Sequence, residues 1–70
     1  MIQKYSITLH GHRTSFSLEE EFHDEIRALA AARGQSLAAL IAEVDEARQG
    51  QDNLSSALRV FVLKAVKSAR

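Results

Sequence analysis

The chain has 70 residues, no cysteine, and nine acidic side chains against nine basic ones, for a formal net charge of zero with histidine neutral. Disulfides and thiolate metal sites are thereby excluded, and a domain so short, burying only ~60% of the surface its unfolded chain exposes, commonly completes its stability by oligomerising. A soluble chain in a reducing, cytoplasmic setting is expected, because Met1-Ile2-Gln3-Lys4-Tyr5-Ser6 opens neither a secretory signal nor a membrane span.

The charges fall into blocks. Residues 1–18 hold Lys4 and Arg13 and no acid; residues 19–52 hold nine acids against Arg27, Arg33 and Arg48; residues 53–70 hold Arg59, Lys64, Lys67 and Arg70 and no acid. An acidic middle between basic ends suits either a positive face for nucleic acid or an ordinary solvated surface.

Tyr5-Ser6-Ile7-Thr8-Leu9-His10 and Thr14-Ser15-Phe16-Ser17-Leu18 alternate apolar and polar residues, the period of half-buried strands. A two-residue turn at Gly11-His12, with Gly11 taking the positive φ of a type II′ turn, joins them into a hairpin over about residues 4–18. That turn sets Leu9 against Thr14, Ile7 against Phe16 and Tyr5 against Leu18. On the other surface it pairs His10 with Arg13, Thr8 with Ser15 and Ser6 with Ser17. A three-residue turn would mix polar and apolar side chains on both faces, which burial of one face forbids. The alternative is a frayed first strand, with only Arg13 to Leu18 extended.

Ser17 and Glu20 have the capping-box spacing, and Glu19, Glu20 and Glu21 suit a first helical turn, so a helix is expected over about 18–33. Phe22, Ile26, Leu29 and Ala30 make its inner stripe, and Gly34 supplies a left-handed stop. Ser36 caps a second helix over about 37–48 with Leu37, Leu40, Ile41 and Val44 inside, and the chain loosens through Gln49-Gly50-Gln51-Asp52. A third helix over about 54–68 carries Leu54, Ala57, Leu58, Phe61, Val62, Ala65 and Val66 at helical spacing. Val60 and Leu63 fall outside that stripe, within an arc of about 140° shared with Arg59, Lys64, Lys67 and Arg70. A helix apolar on two sides asks for two partners, and one of them is expected to be a second subunit.

Arg13-Thr14-Ser15-Phe16-Ser17-Leu18, an acid-opened helix, and Arg33-Gly34-Gln35-Ser36-Leu37 leading into a second helix resemble the ribbon-helix-helix family over residues 13–48. The Gly34-x-Ser36 turn is the most telling part. Continued through Asn53-Leu54-Ser55-Ser56-Ala57-Leu58-Arg59-Val60-Phe61-Val62, the sequence looks like a branch of small bacterial members. The resemblance implies a single domain over 1–70, mainly α with an N-terminal β-ribbon and a third C-terminal helix added, forming an intertwined homodimer. In it the strands of two subunits pair antiparallel over a shared core, here Phe16, Leu18, Phe22, Ile41, Leu58, Phe61 and Val62. It further implies that Arg13, Ser15 and Ser17 meet base edges in the major groove, and that Gln35, Ser36 and Leu37 hold a phosphate at the second helix's start. The sequence departs from the family in its extra first strand, its sparse positive charge, and Glu19 where proline is frequent.

Neither a cofactor nor an enzyme is expected. His10, His12 and His23 lack converging partners for a metal. Consecutive glutamates point apart on a helix, and Ser36 lacks the second glycine of a nucleophile elbow. The expected function is sequence-specific DNA binding by a dimeric regulator of transcription. The alternative is a dimer of the same fold that serves protein interaction or structure without DNA.

Overall fold

The computed structural model describes residues 1–48 and 53–69; the expected break at 49–52, and Arg70, lie outside the described residues. Two strands, β1 (Ile2–Leu9) and β2 (His12–Glu19), are followed by helices α1 (Glu20–Ala32), α2 (Leu37–Ala47) and α3 (Leu54–Ser68). The strands form one antiparallel hairpin whose inner face lies on the helices.

Alternation dictates the hairpin's faces. Leu9, Phe16 and Leu18 are buried and Tyr5 and Ile7 pack at the core's margin, while Lys4, Ser6, Thr8, Arg13 and Ser15 are exposed. The register differs from the expected one by two residues: Tyr5 pairs with Phe16, Ser6 with Ser15, Thr8 with Arg13 and Leu9 with His12. The turn is His10-Gly11, with positive φ at both residues (52° and 80°), the type I′ pattern in place of type II′ at Gly11-His12. Histidine tolerates this region better than most side chains. A slip of two leaves every side chain on its expected face, so alternation could not separate the two pairings. The realised one lets β1 pair along its whole length, from Ile2 opposite Glu19 to Leu9, so the frayed first strand is also set aside. It also stacks Tyr5 on Phe16 (ring centroids 5.5 Å apart) and on His23 of α1 (3.9 Å, nearly parallel), contacts of a kind that add about 0.5–1.5 kcal/mol per aromatic pair.

Because β2 extends to Glu19, Ser17 is a strand residue and the capping box expected with Glu20 does not form. Glu19 occupies the N-cap of α1 with no side-chain cap bond, and Glu20 and Glu21 supply first-turn negative charge. At the other end Gly34, φ 68°, closes a Schellman turn in which the Gln35 N–H donates to Ala30 O (2.9 Å) and the Gly34 N–H to Ala31 O (3.1 Å). Ser36 Oγ then accepts the Ala39 N–H to cap α2, and Asn53 Oδ1 accepts the Ser56 N–H to cap α3.

The core is Leu9, Phe16, Leu18, Ile26, Ala30, Leu40, Ile41, Val44, Leu54, Leu58 and Val62. Helix α3 packs on α1, α2 and β2 of its own chain at once. Its inner stripe thus meets the sheet and both other helices within one chain, while Val60, Leu63 and Val66 on its second apolar side stay exposed. Of the side chains expected at a dimer core, Phe16, Leu18, Ile41, Leu58 and Val62 are buried within the subunit, and Phe22 and Phe61 are half-buried.

Leu58 is fully enclosed, so Leu58→Ala should cost about 2–5 kcal/mol, a large part of a small domain's stability. Gly34→Ala meets no steric obstacle but must hold a left-handed φ, and should cost ~1–2 kcal/mol. Urea titrations followed by circular dichroism should show both losses in that order; a Gly34→Ala variant as stable as the parent would contradict the αL account of this turn.

Candidate nucleic-acid interface

The outward face of the hairpin is a two-strand array of polar side chains. Cross-strand pairing sets Lys4 beside Ser17, Ser6 beside Ser15 and Thr8 beside Arg13. The sequence assigned His10 to this face opposite Arg13; the structure moves His10 into the turn and puts Thr8 there instead. Arg13 and Ser15 are exposed, and Arg13 makes no ion pair or side-chain hydrogen bond among the described residues. Four hydroxyls and two cations in one plane can donate to and accept from base edges and phosphates, with the arginine alone capable of a bidentate bond.

The far end of β2 is different. Ser17 is half-buried; its N–H donates to Ser55 Oγ (2.9 Å) and its carbonyl accepts from Arg59 Nη2 (3.4 Å), so both backbone groups turn away from β1 toward α3. Arg59 Nε also donates to Glu19 Oε1 at 3.0 Å. The Glu19 carboxyl is held below its ordinary pKa, first by a hydrogen bond from its own backbone N–H and then by Arg59. Arg59 is thus removed from the free basic cluster expected on α3, whose described members Lys64 and Lys67 are exposed. Sequence spacing puts Ser55 and Arg59 one helical turn apart on one side of α3, but nothing in it says that this side meets β2.

Alternate residues of a strand send their backbone groups to the same edge, so Arg13 and Ser15 offer theirs on the side that Ser17 does. No hydrogen bond from either is found on that side among the described residues. This stretch of β2 is an open sheet edge. Beside Arg59, which meets the Ser17–Glu19 end of β2, lies an apolar groove lined also by Phe22, Val60, Val62, Leu63 and Val66, in which Val60, Leu63 and Val66 are 46%, 56% and 37% exposed.

At the start of α2, Gln35, Ser36 and Leu37 divide. The Gln35 N–H, expected to be free for an anion, is spent on Ala30 O, and its Oε1 is buried with no hydrogen-bond partner among the described residues. Ser36 Oγ is engaged as the cap. The N–H groups of the first turn, Leu37 and Ala38, have no intrahelical acceptor and are the ones able to hold a phosphate. Beside them Arg33 is drawn to Glu43 (3.3 Å) and over the Phe61 ring (5.8 Å).

The histidines separate as well. His10 and His12 are exposed at the turn, while His23 is half-buried in the aromatic stack with Tyr5 and Phe16. No group of three or more metal-ligating side chains converges among the described residues.

A polar-faced β-ribbon thus leads into two helices joined by a Gly-x-Ser turn, with a third helix packed on both and on the ribbon. The ribbon-helix-helix domain family matches residues 2–66, nearly the whole chain, and the protein belongs to that family. Domains of this family are typically those of DNA-binding transcription regulators. No curated protein and no solved structure matches the chain. Among the described residues, no helix is long and apolar enough to cross a membrane.

Burial, with a smaller contribution from Arg27 and some opposition from Asp24, lowers the His23 pKa below its ordinary 6.5. The native state therefore binds fewer protons than the unfolded chain as pH falls through that value. Stability from the neutral ring is full above pH 6.5 and declines below it, toward the lowered native pKa. Urea midpoints at about pH 7.5 and about pH 5.5 should differ for the parent and differ less for His23→Gln; equal pH dependence in both proteins would contradict a partly desolvated ring held neutral by its stack.

Proposed function

We propose that this protein is a dimeric, sequence-specific DNA-binding regulator of transcription, acting in the bacterial cytoplasm, with the outward face of its ribbon as the reading surface. The observation that carries the reading is the exposed polar array centred on Arg13 and Ser15, on the very strand that in this fold is the ribbon. Arg13 supplies the one strongly discriminating contact, a bidentate bond to guanine, whereas Ser15 and Ser17 add hydroxyl contacts of low selectivity.

The open edge of β2 at Arg13 and Ser15 supports pairing with the same edge of a second copy, and the neighbouring groove of Phe22, Leu63 and Val66 supplies apolar surface for that partner. Such a dimer has four strands in the order β1, β2, partner β2, partner β1. At ~4.8 Å between strands the outer pair lie about 14 Å apart, slightly wider than a major groove of ~12 Å. The central β2 strands then face base edges while each β1 lies over a groove wall, bringing Lys4, Ser6 and Thr8 to phosphates. The extra strand becomes a phosphate clamp in place of an obstruction. Leu37 and Ala38 N–H groups at the start of α2 add an anchor that needs no positive side chain.

The exposed apolar residues of α3 favour a second reading, a dimer that docks a protein partner on Val60 and Leu63 and leaves DNA alone.

Light scattering at micromolar concentration should give twice the chain mass, and binding to genomic fragments at low salt should be detectable. Arg13→Ala should lose ~1–3 kcal/mol and relax sequence preference. Lys4→Ala should weaken all sequences alike and make the salt dependence shallower by about one phosphate per subunit. A stable monomer removes the dimer; absent affinity, or affinity indifferent to Arg13→Ala, removes the groove-reading role in favour of the protein-docking one.

A further inference from the structure

Glu19 stands on the reading face itself. It is the next outward residue after Arg13, Ser15 and Ser17 on β2, so a ribbon laid against a polyanion would bring its carboxylate toward that charge. Its side chain is about one-third exposed, so burial does not hide the charge. Among the described side chains the one that pairs with it is Arg59, whose Nε donates at 3.0 Å from α3. The same guanidinium reaches the Ser17 carbonyl, and one turn earlier Ser55 takes the Ser17 N–H. Helix α3 therefore grips the last two outward positions of β2 by both backbone and charge.

We infer that Arg59 is a positioning residue for nucleic-acid recognition, which neutralises Glu19 at the edge of the reading face and holds the Ser17 end of the strand in place. The inference rests on the DNA-reading role of the ribbon. Arg59 contributes by cancelling a repulsion at the surface rather than by a bond to DNA. Coulomb repulsion between partly solvated like charges several ångströms apart is enough to change affinity by about an order of magnitude.

A double-mutant cycle on the full-length protein decides the matter, with a bound duplex selected from genomic fragments as the probe and thermal unfolding measured alongside. Arg59→Ala is expected to weaken binding roughly tenfold. Glu19→Gln is expected to bind as well as the parent or better, and Glu19→Gln with Arg59→Ala to return to within about threefold of it. Thermal midpoints should behave otherwise, since the double variant lacks the ion pair and the Ser17 contact and stays as destabilised as Arg59→Ala. Recovery of affinity without recovery of stability is the signature of shielding. A double variant as weak as Arg59→Ala would overturn the proposal in favour of a direct phosphate contact, and affinity that simply tracks thermal stability would overturn it in favour of a structural tie. If the parent itself fails to bind, the DNA-reading role falls first and this inference with it, whereas parent binding with no recovery in the double variant sinks the shielding alone.

Discussion

Burial of one face of the hairpin is the constraint on which the rest of the structure depends. Leu9, Phe16 and Leu18 can be enclosed only if Thr8, Arg13, Ser15 and Ser17 point the other way, so the hydrophobic demand of the core creates the polar face as its by-product. Two fully sequestered leucines, Leu18 of β2 and Leu58 of α3, tie ribbon and helices together. Each such side chain contributes about 1.5–3 kcal/mol when buried, several times the ~0–1 kcal/mol typical of an exposed ion pair. The Arg59–Glu19 contact is consequently a small source of stability beside them, and its larger effect is on local charge and strand position.

Helix α3 has more than one task because its apolar residues cover more than one face. Leu54, Leu58 and Val62 line the inner side and unite α1, α2 and β2 around them. Ser55 and Arg59 look toward the end of β2, and Val60, Leu63 and Val66 remain at the surface beside Phe22. The three roles follow from a 100° step between residues, which distributes a rich helix over three neighbours. A helix added to the ribbon and two helices thus both closes the core of a single chain and leaves apolar side chains at its surface.

Charge is arranged economically. The chain is neutral overall, and several of its arginines are engaged within the fold: Arg33 with Glu43, Arg48 with Asp45, and Arg59 with Glu19. Lys4 and Arg13 are left to the ribbon. A surface so modestly charged gains little from nonspecific attraction to phosphates, which shifts the weight of any recognition toward hydroxyls, one bidentate arginine and the first-turn N–H groups of α2.

The strands, the Gly34 stop, the Ser36 cap and the inner stripes of α2 and α3 were legible in residue order, since each depends on a short-range rule: period two, a left-handed glycine, an oxygen three residues before an N–H, a 3.6-residue repeat. Membership of the ribbon-helix-helix family was legible for the same reason, because Arg13 to Leu18 and Gly34-x-Ser36 are local patterns. The two-residue slip of the hairpin was not, as a slip of two preserves every face; stacking of Tyr5 on Phe16 and His23 and full pairing of β1 belong to the assembled structure. Ser17 read as a helix cap because its spacing to Glu20 fits one, yet continued pairing of β2 claimed it for the sheet and Ser55 took its N–H. The sequence by itself thus determined which side chains face inward and where the helices turn. Only the tertiary structure decided the strand register, the closing of one chain's core by α3 and the meeting of Arg59 with Glu19, because contacts forty residues apart are set by packing and leave no periodic trace in the chain.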